Sequence, residues 1–112
     1  MERGEIWWEE LPAPTALEPG FRRPVTIVQS NAFIRSHIRT VIDVVLNSNL
    51  RLAEAPGNVS IPASDSGLPK DSVAKVSQVI TMDRTFLTER CGRLPAHSIK
   101  SIDDGLRLVL SL

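Results

Sequence analysis

The sequence predicts a mainly β domain with helices, folded as a small curled sheet or partly open barrel with an amphipathic helix at its C-terminus. Several short runs of β-branched and aromatic residues are separated by Pro- and Gly-rich turns, and the last segment repeats its apolar residues at helical spacing. The chain has 112 residues, enough for one hydrophobic core but not for two. We therefore expect a single domain over residues 1–112.

The first strand is predicted over residues 4–9, where Ile6, Trp7 and Trp8 supply strand propensity. Alternation places Ile6 and Trp8 on one face and Trp7 on the other. Residues 11–22 form a long loop with three prolines and a glycine, and loops of this length in compact domains often carry function.

The second strand is predicted over residues 23–30 and is followed by a short turn or a single helical turn over residues 31–36. Residues 39–46 form a third strand, which the polar triplet Asn47-Ser48-Asn49 ends. Asp43 shares a face of this strand with apolar neighbours, and a buried acid without a partner is unfavourable. Either that face is solvated or Asp43 is paired.

The second half of the chain begins with a turn at Pro56-Gly57-Asn58 and a short strand over residues 59–61. Residues 64–69 form a loop, and residues 71–82 carry two strand-like runs. Asp83 is a plausible N-cap for a short helix that ends at Leu87.

The clearest helix is predicted over residues 96–110. Its apolar face is formed by Ile99, Ile102, Leu106, Val109 and Leu110. This face must be buried, and the sheet is the surface available to cover it.

The charge is balanced, with 13 basic and 13 acidic residues, so net charge indicates no class of partner. Its distribution is uneven, because residues 21–53 hold five arginines and one acid, whereas the first ten residues hold four glutamates and one arginine. The arginines either form one electropositive face or are scattered over separate surfaces.

Composition excludes several classes. No apolar run approaches the length of a membrane span, the acidic N-terminus lacks the pattern of a signal peptide, and one cysteine cannot form an internal disulfide, which fits a cytoplasmic protein. Neighbouring arginines could lower the pKa of Cys91, but without a nucleophile motif we interpret it as structural or incidental. No metal-ligand spacing is recognisable. His37 and His97 are the histidines available for an acid–base pair, but we interpret both as ordinary surface or satisfied polar residues.

The most informative segment runs from Glu18 to Ser30 and reads EPGFRRPVTIVQS. A turn with two adjacent arginines leads directly into an apolar strand, which holds cationic donors at the edge of a sheet. Such donors suit RNA cleavage without a metal, since the RNA 2′-hydroxyl is itself the nucleophile. Arg23 would stabilise charge on the phosphorus or donate to the leaving group. Alternatively, Arg22 and Arg23 are a surface pair that holds the loop to Glu18.

The whole chain resembles the MazF/PemK-type toxins. The motifs that carry the resemblance are RGEIWW at residues 3–8, EPG at 18–20, RRPV at 22–25, VQS at 28–30, SNL at 48–50, PGNV at 56–59, GLPKDSV at 67–73 and QV at 78–79, together with the terminal helix.

The resemblance implies an SH3-like, partly open barrel of the plasmid-maintenance-toxin type that assembles as a homodimer. It implies the toxin of a bacterial type II toxin–antitoxin system, which cuts single-stranded RNA at specific sequences without a metal or other cofactor. The products carry 2′,3′-cyclic phosphate and 5′-hydroxyl ends. A MazE-like antitoxin with a largely acidic tail would cover the RNA groove, and no membrane is involved.

The resemblance also assigns roles to residues. Arg23 matches the catalytic arginine, and Glu18, Ser72 and Gln78 match positions near the substrate. We expect Arg22 beside them and Phe21 either stacking on a base or anchoring the loop.

Asn47 departs from the family pattern, because it stands where the family has a catalytic threonine. Three alternatives follow: Asn47 itself supports the transition state, Ser48 supplies the hydroxyl, or the protein is a weakened homologue that acts by binding RNA, antitoxin or gyrase. The family also usually has an aliphatic residue in place of Asp43 and often an asparagine in place of Ile34.

Overall fold

A computed structural model describes residues 1–11 and 21–112 and places their strands in one curled antiparallel sheet. The strands are β1 (Glu5–Leu11), β2 (Phe21–Ile27), β3 (Thr40–Asn47), β4 (Val59–Ile61), β5 (Ser72–Asp83) and β6 (Leu87–Arg93). The helices are α1 (Asn31–Arg35), α2 (Ala63–Ser66) and α3 (Ala96–Leu110), with 3₁₀ turns at Leu50–Glu54 and Arg84–Phe86. The strand order is β4-β5-β3-β2-β1-β6.

Both faces of the central part of the sheet carry a buried core. One face packs against α3 and forms a core, here called the helix-side core, that consists of Ile6, Val44, Leu46, Ile61, Leu68, Ala74, Leu94 and Ile102. The other face forms a second core of Val25, Ile27, Ile34, Val41, Val45, Met82 and Leu87. Adjacent residues of β3, such as Val44 and Val45, therefore belong to different cores, as strand alternation requires.

Several sequence predictions are confirmed. The last helix spans Ala96–Leu110 as predicted, and Asp83 caps the 3₁₀ turn through a hydrogen bond that its side chain accepts from the Thr85 N–H.

None of the helices in residues 1–11 and 21–112 has the length and apolar character of a membrane span.

Other predictions were wrong. The two strand-like runs of residues 71–82 form one strand, β5, which bends where its register against β3 shifts between the Val44–Val79 and Leu46–Ala74 pairs. Residues 63–66, predicted mostly as loop, form the single helical turn α2. Strand β6 was missed because its sequence LTERCGR is polar, and only Leu87 in it is buried.

Asp43 differs from both sequence alternatives. Its side chain is completely buried, and neither carboxylate oxygen has a hydrogen-bond partner among the described residues. Burial, and secondarily the charge of Glu9, raise the pKa of Asp43 to about 8, although Arg23 acts in the opposite direction. The buried Asp43 is therefore mainly protonated at neutral pH.

Helix α3 approaches the turn before β4 closely at Gly105. A Cβ atom on Gly105 would overlap the carbonyl oxygen of Gly57, which lies in the turn before β4 with a φ of +83°. Gly105 is thus required by the close packing of helix and turn, although glycine is unfavourable inside a helix.

We expect Gly105→Ala to lower the free energy of unfolding by about 1–3 kcal/mol, because overlap with the Gly57 backbone outweighs the helix propensity of alanine. Urea denaturation followed by circular dichroism measures this. Ser101→Ala, on the exposed side of α3, is the control and should change stability by less than about 0.5 kcal/mol. An equal effect of both variants would contradict the packing role of Gly105.

We expect the stability of the wild type, relative to Asp43→Val, to fall as the pH rises. Folding raises the pKa of Asp43 from 3.8 to about 8, so between these values the folded state binds a proton that the unfolded state lacks. The free energy of unfolding of the wild type, minus that of Asp43→Val, should fall by about 1.4 kcal/mol per pH unit between these pKa values and level off at higher pH. Urea denaturation from pH 4 to 9 at one protein concentration measures it, and parallel curves would contradict the assignment.

Candidate active site

A cavity of about 400 Å³ opens where β2 begins, β3 ends and β5 begins. It is lined by Trp8, Arg22, Arg23, Pro24, Leu46, Asn47, Ser48, Leu68, Pro69, Lys70, Asp71 and Ser72. Five residues that the sequence placed in the site, Arg22, Arg23, Asn47, Ser48 and Ser72, therefore meet at one cavity. Its three cations, Arg22, Arg23 and Lys70, suit an anionic ligand.

A buried acid of the neighbouring strand holds Arg23 in place. It lies opposite Glu9 in the β1–β2 pairing, and its Nε donates to Glu9 Oε1 at 3.0 Å. The Glu9 side chain is fully buried, whereas that of Arg23 is 21% exposed. Continuing the Val25–Val45 register by two residues brings Arg23 level with Asn47 at the end of β3.

Arg22 points to the opposite face of the sheet and has different partners. Its guanidinium lies 4.0 Å from the centre of the Trp8 ring and pairs with Glu10 at 3.3 Å and Glu89 at 3.0 Å. All three charged side chains are largely exposed, so these pairs contribute little to stability. Each of the two adjacent arginines is thus bound to an acid of β1. Glu18, to which the alternative prediction attached them, lies outside the described residues.

Asn47 and Ser48 lie where β3 ends. The Asn47 side-chain oxygen accepts a hydrogen bond from the Asn49 N–H at 2.8 Å, which stabilises the turn. Its amide nitrogen then remains to donate, since no described residue pairs with it. The Ser48 hydroxyl lines the same cavity and offers both a donor and an acceptor.

The opposite wall of the cavity comes from the segment before β5. The Ser72 hydroxyl is buried and has no hydrogen-bond partner among the described residues. Asp71 accepts from the Ala63 N–H at 2.8 Å and so attaches this wall to α2. Sequence reasoning assigned no role to Lys70, although its position in the GLPKDSV motif beside Ser72 was the available indication.

Two other predicted residues lie outside the cavity lining. Phe21 is about half exposed, and its ring centre lies 4.8 Å from the Arg23 guanidinium, so it packs on the arginine. Gln78 does not line the cavity, because it lies farther along β5, next to the register shift that follows Ala74.

The alternative reactive groups lie elsewhere. Neither His37 nor His97 lines the cavity. His97 is exposed, and its Nε2 lies 3.6 Å from Asp65 Oδ2. Burial, and then the charge of Glu89, raise the pKa of the Cys91 thiol, and the opposite effect of Arg22 is smaller. Among residues 1–11 and 21–112, no group of three or more His, Cys, Asp or Glu side chains could hold a metal ion.

The arginines of residues 21–53 do not form one continuous face. Arg22 and Arg23 reach the cavity, whereas Arg39 pairs with Asp83 at 3.3 Å where β3 begins, at the far end of that strand from Asn47. Arg39 is therefore separate from the cations of the cavity.

Comparisons with known proteins agree with this fold. The family described as PemK-like, MazF-like toxin of type II toxin-antitoxin system matches residues 2–110. Endoribonuclease MazF6 of Mycobacterium tuberculosis strain H37Rv is 44% identical over 112 residues, which cover 100% of this chain and 98% of that relative.

Two solved structures are similar in fold. A mycobacterial endoribonuclease in complex with its cognate antitoxin has a TM-score of 0.79 at 22% identity, covering 100% of this chain and 96% of that one. A MazE-MazF crystal structure from Deinococcus radiodurans has a TM-score of 0.82 at 19% identity, covering 100% and 96%. The predicted fold class is confirmed. The chain belongs to the PemK-like, MazF-like toxins of type II toxin–antitoxin systems.

Proposed function

We propose that this protein is an endoribonuclease that cuts single-stranded RNA at specific sequences, without a metal ion, and thereby inhibits translation and growth. The observation that carries the proposal is the guanidinium of Arg23, which Glu9 binds and which lines the same cavity as Asn47 and Ser48. A relative that is 44% identical is named an endoribonuclease, which supports the same activity.

The reaction requires no nucleophile from the protein. The RNA 2′-oxygen attacks the adjacent phosphorus and loses its proton, and the bond from phosphorus to the 5′-oxygen breaks as that oxygen takes up a proton. The products are a 2′,3′-cyclic phosphate and a 5′-hydroxyl. The protein must therefore stabilise the additional negative charge on the phosphoryl oxygens and assist the two proton transfers.

Arg23 is suited to the first task, because a guanidinium offers several fixed donors to phosphate oxygens and remains charged at any working pH. Asn47 adds an amide donor at the same end of the cavity, but its oxygen is engaged by the Asn49 N–H. Ser48 is the neighbouring group with a hydroxyl that can relay a proton.

The remaining cavity residues bind the RNA. Arg22 and Lys70 attract the phosphate backbone, and Trp8, on which Arg22 stacks, presents a ring suited to a base. In the proposal, Phe21 and Ser72 contact the substrate beside them, and Glu18 and Gln78 contact it farther from the cavity.

The proposed partners follow from the same surface. A MazE-like antitoxin with an acidic segment would neutralise the cations of the cavity, and the mycobacterial neighbour described as a complex with its cognate antitoxin supports this. We also propose a homodimer that acts in the cytoplasm.

One observation favours a second candidate, a catalytically weakened homologue that acts by binding. Asn47 stands where the family has a threonine, and an amide whose oxygen is already engaged cannot relay a proton.

We expect Arg23→Lys to reduce cleavage by about 10²–10³-fold, because lysine keeps the positive charge beside Glu9 but loses the fork of donors for phosphate. The rate is measured on a long single-stranded RNA in EDTA with antitoxin-free protein, and the cuts are mapped by end sequencing. The control is Arg39→Lys, at the far end of β3, which should cut like the wild type. Unreduced cleavage by folded Arg23→Lys would show that the reaction does not need the fork of donors of Arg23.

We expect Asn47→Thr to raise the cleavage rate by about tenfold or more, because the hydroxyl of threonine both donates and accepts a proton. Single-turnover kinetics on the same RNA measure the change. Cleavage by Asn47→Thr alone would show that the natural protein acts by binding. Equal rates would show instead that the Asn47 amide supports the reaction by donation alone.

A further inference from the structure

Two buried carboxylates lie on the sheet face of Arg23. Glu9 of β1 and Asp43 of β3 both have no exposed surface. Glu9 lies directly opposite Arg23, and Asp43 lies opposite Ile27, which shares the sheet face of Arg23 by alternation. The reaction described above uses neither acid, although burying carboxylates is unfavourable unless they are paired.

The contacts of Arg23 fix its position from two directions. Glu9 Oε1 accepts from Nε at 3.0 Å, and the Phe21 ring covers the guanidinium with its centre 4.8 Å away. The terminal amino groups make no hydrogen bond within residues 1–11 and 21–112. A carboxylate that engages only Nε leaves the outer edge of the guanidinium for a phosphate.

We propose that Glu9 is a positioning residue for Arg23: its buried carboxylate holds the arginine through Nε so that both terminal amino groups point to the scissile phosphate. This inference rests on the proposed endoribonuclease function. It predicts that loss of Glu9 reduces the chemical step more than the binding of RNA, because the charge of Arg23 remains while its orientation is lost.

The first test compares Glu9→Ala, which removes the acceptor, with Glu9→Gln, which keeps an oxygen that Nε can reach. Single-turnover cleavage and the affinity for a 2′-O-methyl RNA that cannot be cut are measured for each. We expect Glu9→Ala to lose at least about tenfold in rate with a change of less than about threefold in affinity, and Glu9→Gln to recover most of the rate. Glu54→Ala, which removes an exposed acid, is the matched control.

A folded Glu9→Ala variant that cuts at the wild-type rate would overturn the inference and leave the proposed function intact. A wild-type protein that cuts no RNA would overturn the proposed function instead. In that case, the NMR signal of the Arg23 Nε–H still decides the positioning role. The Arg23 Nε–H proton should exchange slowly with water in the wild type and rapidly in Glu9→Ala. Equal exchange rates in the two proteins would overturn the inference.

If Glu9→Ala does not fold, Glu9→Asp carries the test. Its shorter side chain keeps the charge but withdraws the acceptor from Nε, so a reduced rate supports positioning and an unchanged rate overturns it.

Discussion

The burial of the central strands on both faces is the constraint on which the rest of the structure depends. Helix α3 covers one face and the second core covers the other, so most side chains in the middle of β2 and β3 are buried. A buried polar group in the central strands must either find an internal partner or lose its charge. Glu9 of β1 pairs with Arg23, and Asp43 of β3 loses its charge, since burial keeps it protonated at neutral pH. The cavity opens where β2 begins and β3 ends, where polar side chains of both strands reach solvent.

The same constraint explains how a chain without net charge can present a cationic cavity. The acids of the first ten residues pair with arginines of other strands, Glu10 with Arg22, Glu5 with Arg90 and Glu2 with Arg93. These pairs neutralise charges over the surface, whereas the outer edge of the Arg23 guanidinium and the side chain of Lys70 remain at the cavity. The binding surface is therefore defined by which cations lie together, and the total charge carries no information about it.

Sequence reasoning reached the parts of the fold that depend on local pattern. The helix over Ala96–Leu110 and the cap at Asp83 follow from periodicity and side-chain hydrogen bonding between near neighbours. Strand β6 was missed because an edge strand of polar residues has no such pattern. In the site, Arg23 was identified by its motif, but Glu9 was not, because the partner of a strand residue depends on register between strands. Asp43 was recognised as a conflict that sequence alone could not resolve, since its environment is set by residues distant in the chain.

Strand alternation gives the two adjacent arginines different surroundings. Arg22 lies on Trp8 among exposed acids, and Arg23 is bound to a buried glutamate on the other face. A doubled residue in a motif suggests redundancy, in which either copy could replace the other. Here it cannot, because no rotation of a side chain moves a residue of β2 through the sheet. The two arginines of the motif therefore occupy distinct positions, and neither can take over the contacts of the other when that one is replaced.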